Sequence, residues 1–279
     1  MRGRWVAMAG DSVVRYVFAA VLRALAPGPG GAPPVVVGHR DFEYVFPCGT
    51  RASFFWRPFA ANVSDLLSEF AAGAAEHGAA GRPDLLLLGT GLWHVLHDGD
   101  PRRYGRGVAA LAGAALRYQR DLERMRVATL APPTWLTVTA TVPGRLRTAQ
   151  KARQMTAERI EAYNAAATRA LAARRVAGLD LAVLDMYRVT RASGVSEDGI
   201  HYNNQTYDLA LNAWLSAVAL GGAGAEAGAP PPPGEDGCAG DGRWEVAGTK
   251  VYGERRPESR RGPQGDVHVE GEPEGPETL

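Results

Sequence analysis

Trp5-Val6-Ala7-Met8-Ala9-Gly10-Asp11-Ser12 decides how the rest of the chain is read. Residues 5–9 are almost entirely apolar and make a short buried strand. Gly10-Asp11-Ser12 turns the chain, and over 12–25 Val13, Tyr16, Val17, Ala20, Val21 and Ala24 recur at a period close to 3.6, which predicts a helix. A serine at such a turn presents its oxygen at the sheet rim. The helix N-terminus beside it offers N–H groups and partial positive charge, which suit an oxyanion forming at the serine. A serine there also serves as a simple helix cap, so a base elsewhere in the chain has to decide between the two.

Asp198-Gly199-Ile200-His201 supplies that base. His201 is the only histidine with an acidic residue three positions before it in a polar turn. Asp198 at that spacing curls back to the imidazole Nδ1 and holds the tautomer whose Nε2 faces a nucleophile. Ser12 as nucleophile needs a base within about 2.6–3.2 Å. The candidate catalytic residues are therefore Ser12, His201 and Asp198.

Between these ends, strand and helix patterns alternate. After the Gly/Pro-rich loop 27–34, Val35-Val36-Val37 reads as a second strand and Asp41 to Phe59 as an aromatic-rich strand or surface crossing. Residues 65–77 read as a helix. Leu85-Leu86-Leu87-Leu88 is a continuous apolar run of the kind found in parallel strands covered on both faces. A helix over 103–125, a strand at Arg126–Leu130, an irregular stretch including Thr137-Val138-Thr139, a helix over 148–175, a strand at Leu179–Leu184 and a helix over 206–220 follow. The fold class expected is α/β: a three-layer α/β/α sandwich with a mainly parallel sheet, flavodoxin-like in outline. Function in such sheets gathers at the C-terminal strand ends, where Gly10-Asp11-Ser12, Gly89 to His94 and Asp198 to His201 would converge.

The chain has 279 residues, 46% hydrophobic and 22% charged, with 31 Lys+Arg against 30 Asp+Glu. That suffices for one sizeable domain, placed at 1–221. Residues 222–279 are rich in Gly, Pro and charge and read as a disordered tail, since they bury too little apolar surface to offset chain ordering. Arginines look spread rather than clustered and the net charge is +1, so no nucleic-acid partner is expected. The two cysteines, Cys48 and Cys238, read as an isolated core thiol and a tail thiol, with no cofactor or metal site. A zinc reading from His94, His97 and Asp98 lacks a further ligand at suitable spacing. No apolar run of about 18 residues occurs, so no membrane span is expected. Met1 to Arg4 leads directly into the first strand with no signal peptide visible.

These blocks together resemble the SGNH/GDSL hydrolase superfamily, and within it the PC-esterase branch, which includes plant trichome-birefringence-like and sialate O-acetyltransferase-like proteins. That branch carries Gly-Asp-Ser-x-x-Arg, here Gly10-Asp11-Ser12-Val13-Val14-Arg15, and a final Asp-x-x-His. Gly89-Thr90-Gly91-Leu92-Trp93-His94 resembles its middle block, often Asn-Thr-Gly-His-Trp-Trp. The resemblance covers about residues 5–220. It implies an SGNH-type serine esterase or O-acetyltransferase acting on O-acetyl groups of a glycan, with an acyl donor and a carbohydrate as partners and a secretory or Golgi location. Gly89 stands where the superfamily's oxyanion asparagine would align. The weaker oxyanion and substrate-binding candidates are Gly10, Asp11, Arg15, Gly38, Gly89, Thr90, Gly91, Trp93 and His94, with Trp56, Trp93 and Trp135 as a sugar-stacking wall. A catalytically degenerate glycan-binding protein is the alternative that Gly89 raises.

Overall fold

The computed structural model describes residues 2–26, 36–222 and 245–246. The strand Trp5–Gly10 (β1) is buried at every position, and the helix Ser12–Leu25 (α1) follows at once. Next come Phe42–Val45 (β2), Arg51–Trp56 (β3), Ala60–His77 (α2), Leu85–Gly89 (β4), Leu92–His97 (α3) and Pro101–Met125 (α4). Thr134–Leu136 (β5), Ala149–Gln154 (α5), Ala157–Val176 (α6), Ala182–Leu184 (β6), Met186–Ser193 (α7), Asn204–Gly222 (α8) and Glu245–Val246 (β7) complete the order.

The sheet runs β6-β5-β4-β1-β3-β2-β7. From β6 to β3 every pairing is parallel; β2 joins β3, and β7 joins β2, antiparallel. Helix α1 packs with α8, while α4 packs between α2 and α6, touching both. Helices thus cover both faces, as the unbroken burial of β1 and β4 requires. The expected three-layer α/β/α sandwich is the fold.

The register aligns the functional rim. Gly10 lies opposite both Trp56 of β3 and Gly89 of β4. A Cβ on Gly10 would stand 2.0 Å from the Gly89 carbonyl oxygen, so only glycine allows the two strand ends to meet this closely.

Several boundaries differ from the sequence reading. Val35 lies outside the described residues, Val36 and Val37 are not strand, and the second strand is Phe42–Val45 instead. Arg126–Leu130 is irregular because Arg126 caps α4 in a left-handed conformation (φ 56°); the next strand comes after Pro133, at Thr134–Leu136. The helix expected over 148–175 is two helices, since Thr148 and Thr156 each cap one through their side-chain oxygens. Helix α7 was not anticipated at all. The reading of 222–279 as a disordered tail falls, apart from Gly222 and β7, outside the described residues. Cys48 is disulfide-bonded, which corrects its reading as an isolated thiol; Cys238 is outside the described residues.

Candidate active site

Asp11, not Ser12, caps α1: its carboxylate accepts from the Val13 N–H at 3.1 Å. Ser12 is then the first helical residue, and its hydroxyl is left for another partner. That partner is His201, 189 residues later, with Nε2 at 2.7 Å from Oγ. The opposite nitrogen, Nδ1, lies 2.7 Å from Asp198 Oδ2. A carboxylate only accepts, so Nδ1 carries the proton and Nε2 accepts the Ser12 hydroxyl.

The turn bearing the base is tightly built. Asp198 Oδ1 accepts from the backbone N–H of Ile200 and of His201, at 2.9 and 2.7 Å. Ser196 Oγ accepts from Gly199 N–H and donates to the His201 carbonyl. Burial alone would raise the Asp198 pKa, but the hydrogen bond and charge of His201 and the two backbone N–H groups hold it well below the usual carboxylate range. Behind the imidazole, Tyr16 packs at 4.8 Å between ring centroids and itself stacks on buried Tyr207 at 5.1 Å. The base therefore has one face supported by α1 and α8.

The remaining candidates fall into two groups. Arg15 is 2% exposed and donates from Nη1 to the Gly38 carbonyl at 2.9 Å. It therefore tethers the exposed Gly38 peptide (φ +84°) to the helix that carries Ser12. Trp93 is half-buried and meets His39, Trp56 and Phe59 edge-on, while His39 stacks on Trp56 at 4.2 Å. Trp56 ends β3 directly beside Gly10, so this aromatic group stands at the rim. Trp135, by contrast, is 1% exposed and belongs to the core rather than to a sugar-stacking wall.

The second group has been turned inward. His94 Nε2 accepts from the Ala60 N–H that opens α2 (3.1 Å), and its Nδ1 bonds Asp98. Burial lowers its pKa against the pull of Asp98, keeping the ring neutral in this role. Its task is to join α3 to α2, which corrects its reading as a substrate contact. Thr90 is 3% exposed, with its carbonyl accepting from Tyr104 Oη at 2.6 Å. Asp11 is equally buried and takes backbone N–H groups from Val13, Val14 and Leu92, so it clasps the starts of α1 and α3 together. Desolvation pushes its pKa up to about 6 despite those N–H groups. Asp11 and Thr90 thus position the two loops and do not face substrate.

Gly89 is closed off for a packing reason. A Cβ there would lie 2.9 Å from Val14 Cγ2 and 3.1 Å from Leu136 Cβ, so an asparagine has no room. At Gly91 a Cβ would meet Val138 Cγ2 at 2.2 Å. A small recess of about 10 Å³, which Ser12 does not line, is bounded by Asp11, Val13, Gly89, Thr90, Leu92 and the segment Leu136–Thr139. Among the described residues, no three His, Cys, Asp or Glu side chains gather as a metal site, and no helix is long and apolar enough to cross a membrane. Sequence reasoning missed Tyr16 and Tyr207 at the site; their spacing on two different helices carries no local signal.

No family model matches the chain. It is 25% identical over 246 residues to Protein ALTERED XYLOGLUCAN 9 of Arabidopsis thaliana, a match covering 79% of this chain and 62% of that protein. Similar solved structures include a family 3 carbohydrate esterase of Clostridium thermocellum (16% identical, TM-score 0.46, covering 78% of this chain and 99% of that one). Another is an acetylxylan esterase, Axe2, of Geobacillus stearothermophilus (13% identical, TM-score 0.41, covering 78% and 96%). At these scores the two structures bear on no conclusion about this chain. Motif order and the plant relative point the same way: the chain resembles the SGNH/GDSL hydrolase superfamily and, within it, the PC-esterase branch.

Proposed function

We propose that the chain is a serine-dependent acyl-ester enzyme acting on O-acetyl groups of a glycan. The observation that carries this reading is the continuous relay Ser12 Oγ–His201 Nε2, His201 Nδ1–Asp198 Oδ2, both links 2.7 Å. In the first half-reaction Ser12 Oγ bonds the acyl carbon while its proton passes to His201 Nε2. The carbonyl oxygen becomes an oxyanion, met by the backbone N–H of Ser12 and by the Gly38 loop that Arg15 tethers. Collapse breaks the ester C–O bond, and the departing sugar oxygen takes the proton from His201 Nε2. Water or a sugar hydroxyl then attacks the acyl-serine, giving esterase or O-acetyltransferase. The rim aromatics Trp93 and His39 support a sugar ring.

The name of the plant relative agrees with a wall-glycan substrate, and acetylated xyloglucan and xylan are the first substrates to offer. The test is mass spectrometry of Ser12 after exposure to acetylated glycan, with a fluorophosphonate probe as control. An acetyl or phosphonyl adduct on Ser12, absent from Ser12→Ala, is expected. Acetate release without an acceptor marks an esterase, and product formed only with one marks a transferase. The absence of an asparagine at Gly89 favours one second reading, a glycan-binding protein without turnover; a folded chain that never labels at Ser12 would establish it.

A further inference from the structure

The stretch between Glu123 and Glu158 holds no acidic residue, and four of the nine residues from 145 to 153 are cationic: Arg145, Arg147, Lys151 and Arg153. In a chain with 31 basic and 30 acidic residues, that local excess is not a consequence of composition. The even spread of arginines read from the sequence does not hold here.

The fold puts this stretch at the shoulder of the site. Val142 N–H donates to the Gly199 carbonyl at 2.9 Å, within the turn that carries Asp198 and His201. Leu146 presses on the same glycine: its N and Cδ2 each lie 2.8 Å from where a Gly199 Cβ would stand. Arg145 and Arg147 therefore flank the contact made two residues before the base. Thr141 Oγ1 donates to the Met155 carbonyl at 2.7 Å and closes the stretch into a strap. Helix α5, with Lys151 and Arg153, leans on α3, which carries Trp93.

Arg145, Arg147 and Arg153 are exposed and Lys151 half-buried, and none of the four forms an ion pair among the described residues. The neighbouring acids are otherwise placed. Asp198 is engaged by His201 and Asp98 by His94, while Glu197 and Glu158 are exposed to solvent. Four uncompensated cations on a strap between the base and the rim aromatics make a field for an anion. Guanidinium forks match carboxylate and phosphate oxygens in pairs.

We propose that the 141–155 strap is an anion subsite that binds a carboxylate or phosphate group of the acyl donor or acceptor while its ester lies at Ser12. This deepens the acyl-ester reading and rests on it for the role, though not for the binding. The carboxylate source is a uronic acid in the glycan; the phosphate source is a phosphorylated acyl donor.

Isothermal titration of the full chain at low salt tests it without turnover, with trigalacturonate, inorganic phosphate and neutral xylotriose as probes. Trigalacturonate or phosphate is expected to bind, with affinity falling as salt rises. Arg145→Glu/Arg147→Glu should weaken that binding at least about tenfold. Arg145→Gln/Arg147→Gln, which leaves less repulsion should the reversal disturb folding, should fall in between. Tighter binding of trigalacturonate assigns the site to an acidic glycan, and tighter binding of phosphate to a phosphorylated donor. Equal binding by wild type and both variants, or xylotriose binding as well as trigalacturonate, overturns the subsite. An unreactive Ser12 beside intact anion binding would instead overturn the acyl-ester reading, so the two failures are distinct.

Discussion

Two motif loops meet at the same strand ends and are used in opposite ways. At the Ser12/His201 pair, three polar side chains from the two ends of the domain spend their hydrogen bonds on one another, at the rim. At the Gly89–His94 loop, polar groups are spent on the scaffold: the Thr90 carbonyl on Tyr104, and the His94 ring on Ala60 and Asp98. Both loops carry residue types that chemistry uses. The partner of each group, not its type, separates a reacting residue from a positioning one.

Removing a hydroxyl or a carboxylate from the first region breaks that comparison most directly. Ser12→Ala should abolish acyl turnover, by about 10⁴-fold or more, while the melting temperature stays within a few degrees. Asp198→Asn should cost a comparable amount by offering the imidazole the wrong partner at Nδ1. Hydrolysis of 4-nitrophenyl acetate alongside thermal melting reads both; a Ser12→Ala chain as active as wild type refutes the assignment.

The next effect is on stability, and its sign differs between the two carboxylates. Asp11, raised to about 6 by burial, contributes stability that is complete below its unfolded value near 3.9 and is lost as pH rises through 6. A shift of that size corresponds to about 3 kcal/mol. Asp198 is lowered, so its contribution is present above about 3.9 and is lost as pH falls through that range. Urea unfolding of wild type and Asp11→Asn from pH 4 to pH 8 compares the slopes. The wild type should lose stability across pH 4 to 7 relative to the variant, whatever the variant's absolute stability. Parallel curves would remove Asp11 as the titrating group.

Substitutions in the inward-turned loop should move stability more than chemistry. His94→Ala strands the Ala60 N–H and the Asp98 carboxylate, at a cost of about 1–3 kcal/mol. Gly89→Asn forces a side chain against Val14 and Leu136 and should cost about 1–3 kcal/mol. It should not raise the rate, although it restores the residue type expected at that position. If Gly89→Asn instead accelerates turnover with the fold intact, Gly89 is a missing oxyanion donor after all.

How much of this was legible follows from where each signal sits. Ser12, Asp198 and His201 could be found because a turn, a helix start and an Asp-x-x-His spacing are local patterns. The layered fold was legible for the same reason: Leu85–Leu88 and the 3.6-residue repeat of α1 each announce their own element. What the sequence did not show is who meets whom. His94 looked like a rim residue because nothing in its neighbourhood mentions Ala60, 34 positions away. The closure of Gly89 depends on Val14 and Leu136, which only the sheet brings together. The strand expected at Arg126–Leu130 failed because a left-handed Arg126 ends α4, and such a cap at a non-glycine residue has no sequence signature.

The smallest effect expected sharpens the comparison from within the reacting region, where packing also has a part. Tyr16 contributes no proton and no oxyanion contact to the mechanism; its ring lies against His201 and transmits the support of buried Tyr207. An aromatic pair of this kind is worth about 0.5–1.5 kcal/mol. Tyr16→Leu should therefore lower kcat by about two- to tenfold with little change in KM, because the imidazole loses its backing while the substrate surface is unchanged. Tyr16→Phe keeps the ring and should restore most of the rate. Equal losses in both variants would assign the effect to the hydroxyl instead, and a loss confined to KM would place Tyr16 in the substrate surface. Only the leucine-specific loss in kcat fits a base that is held by three elements, its own turn, α1 and α8, rather than by Asp198 alone.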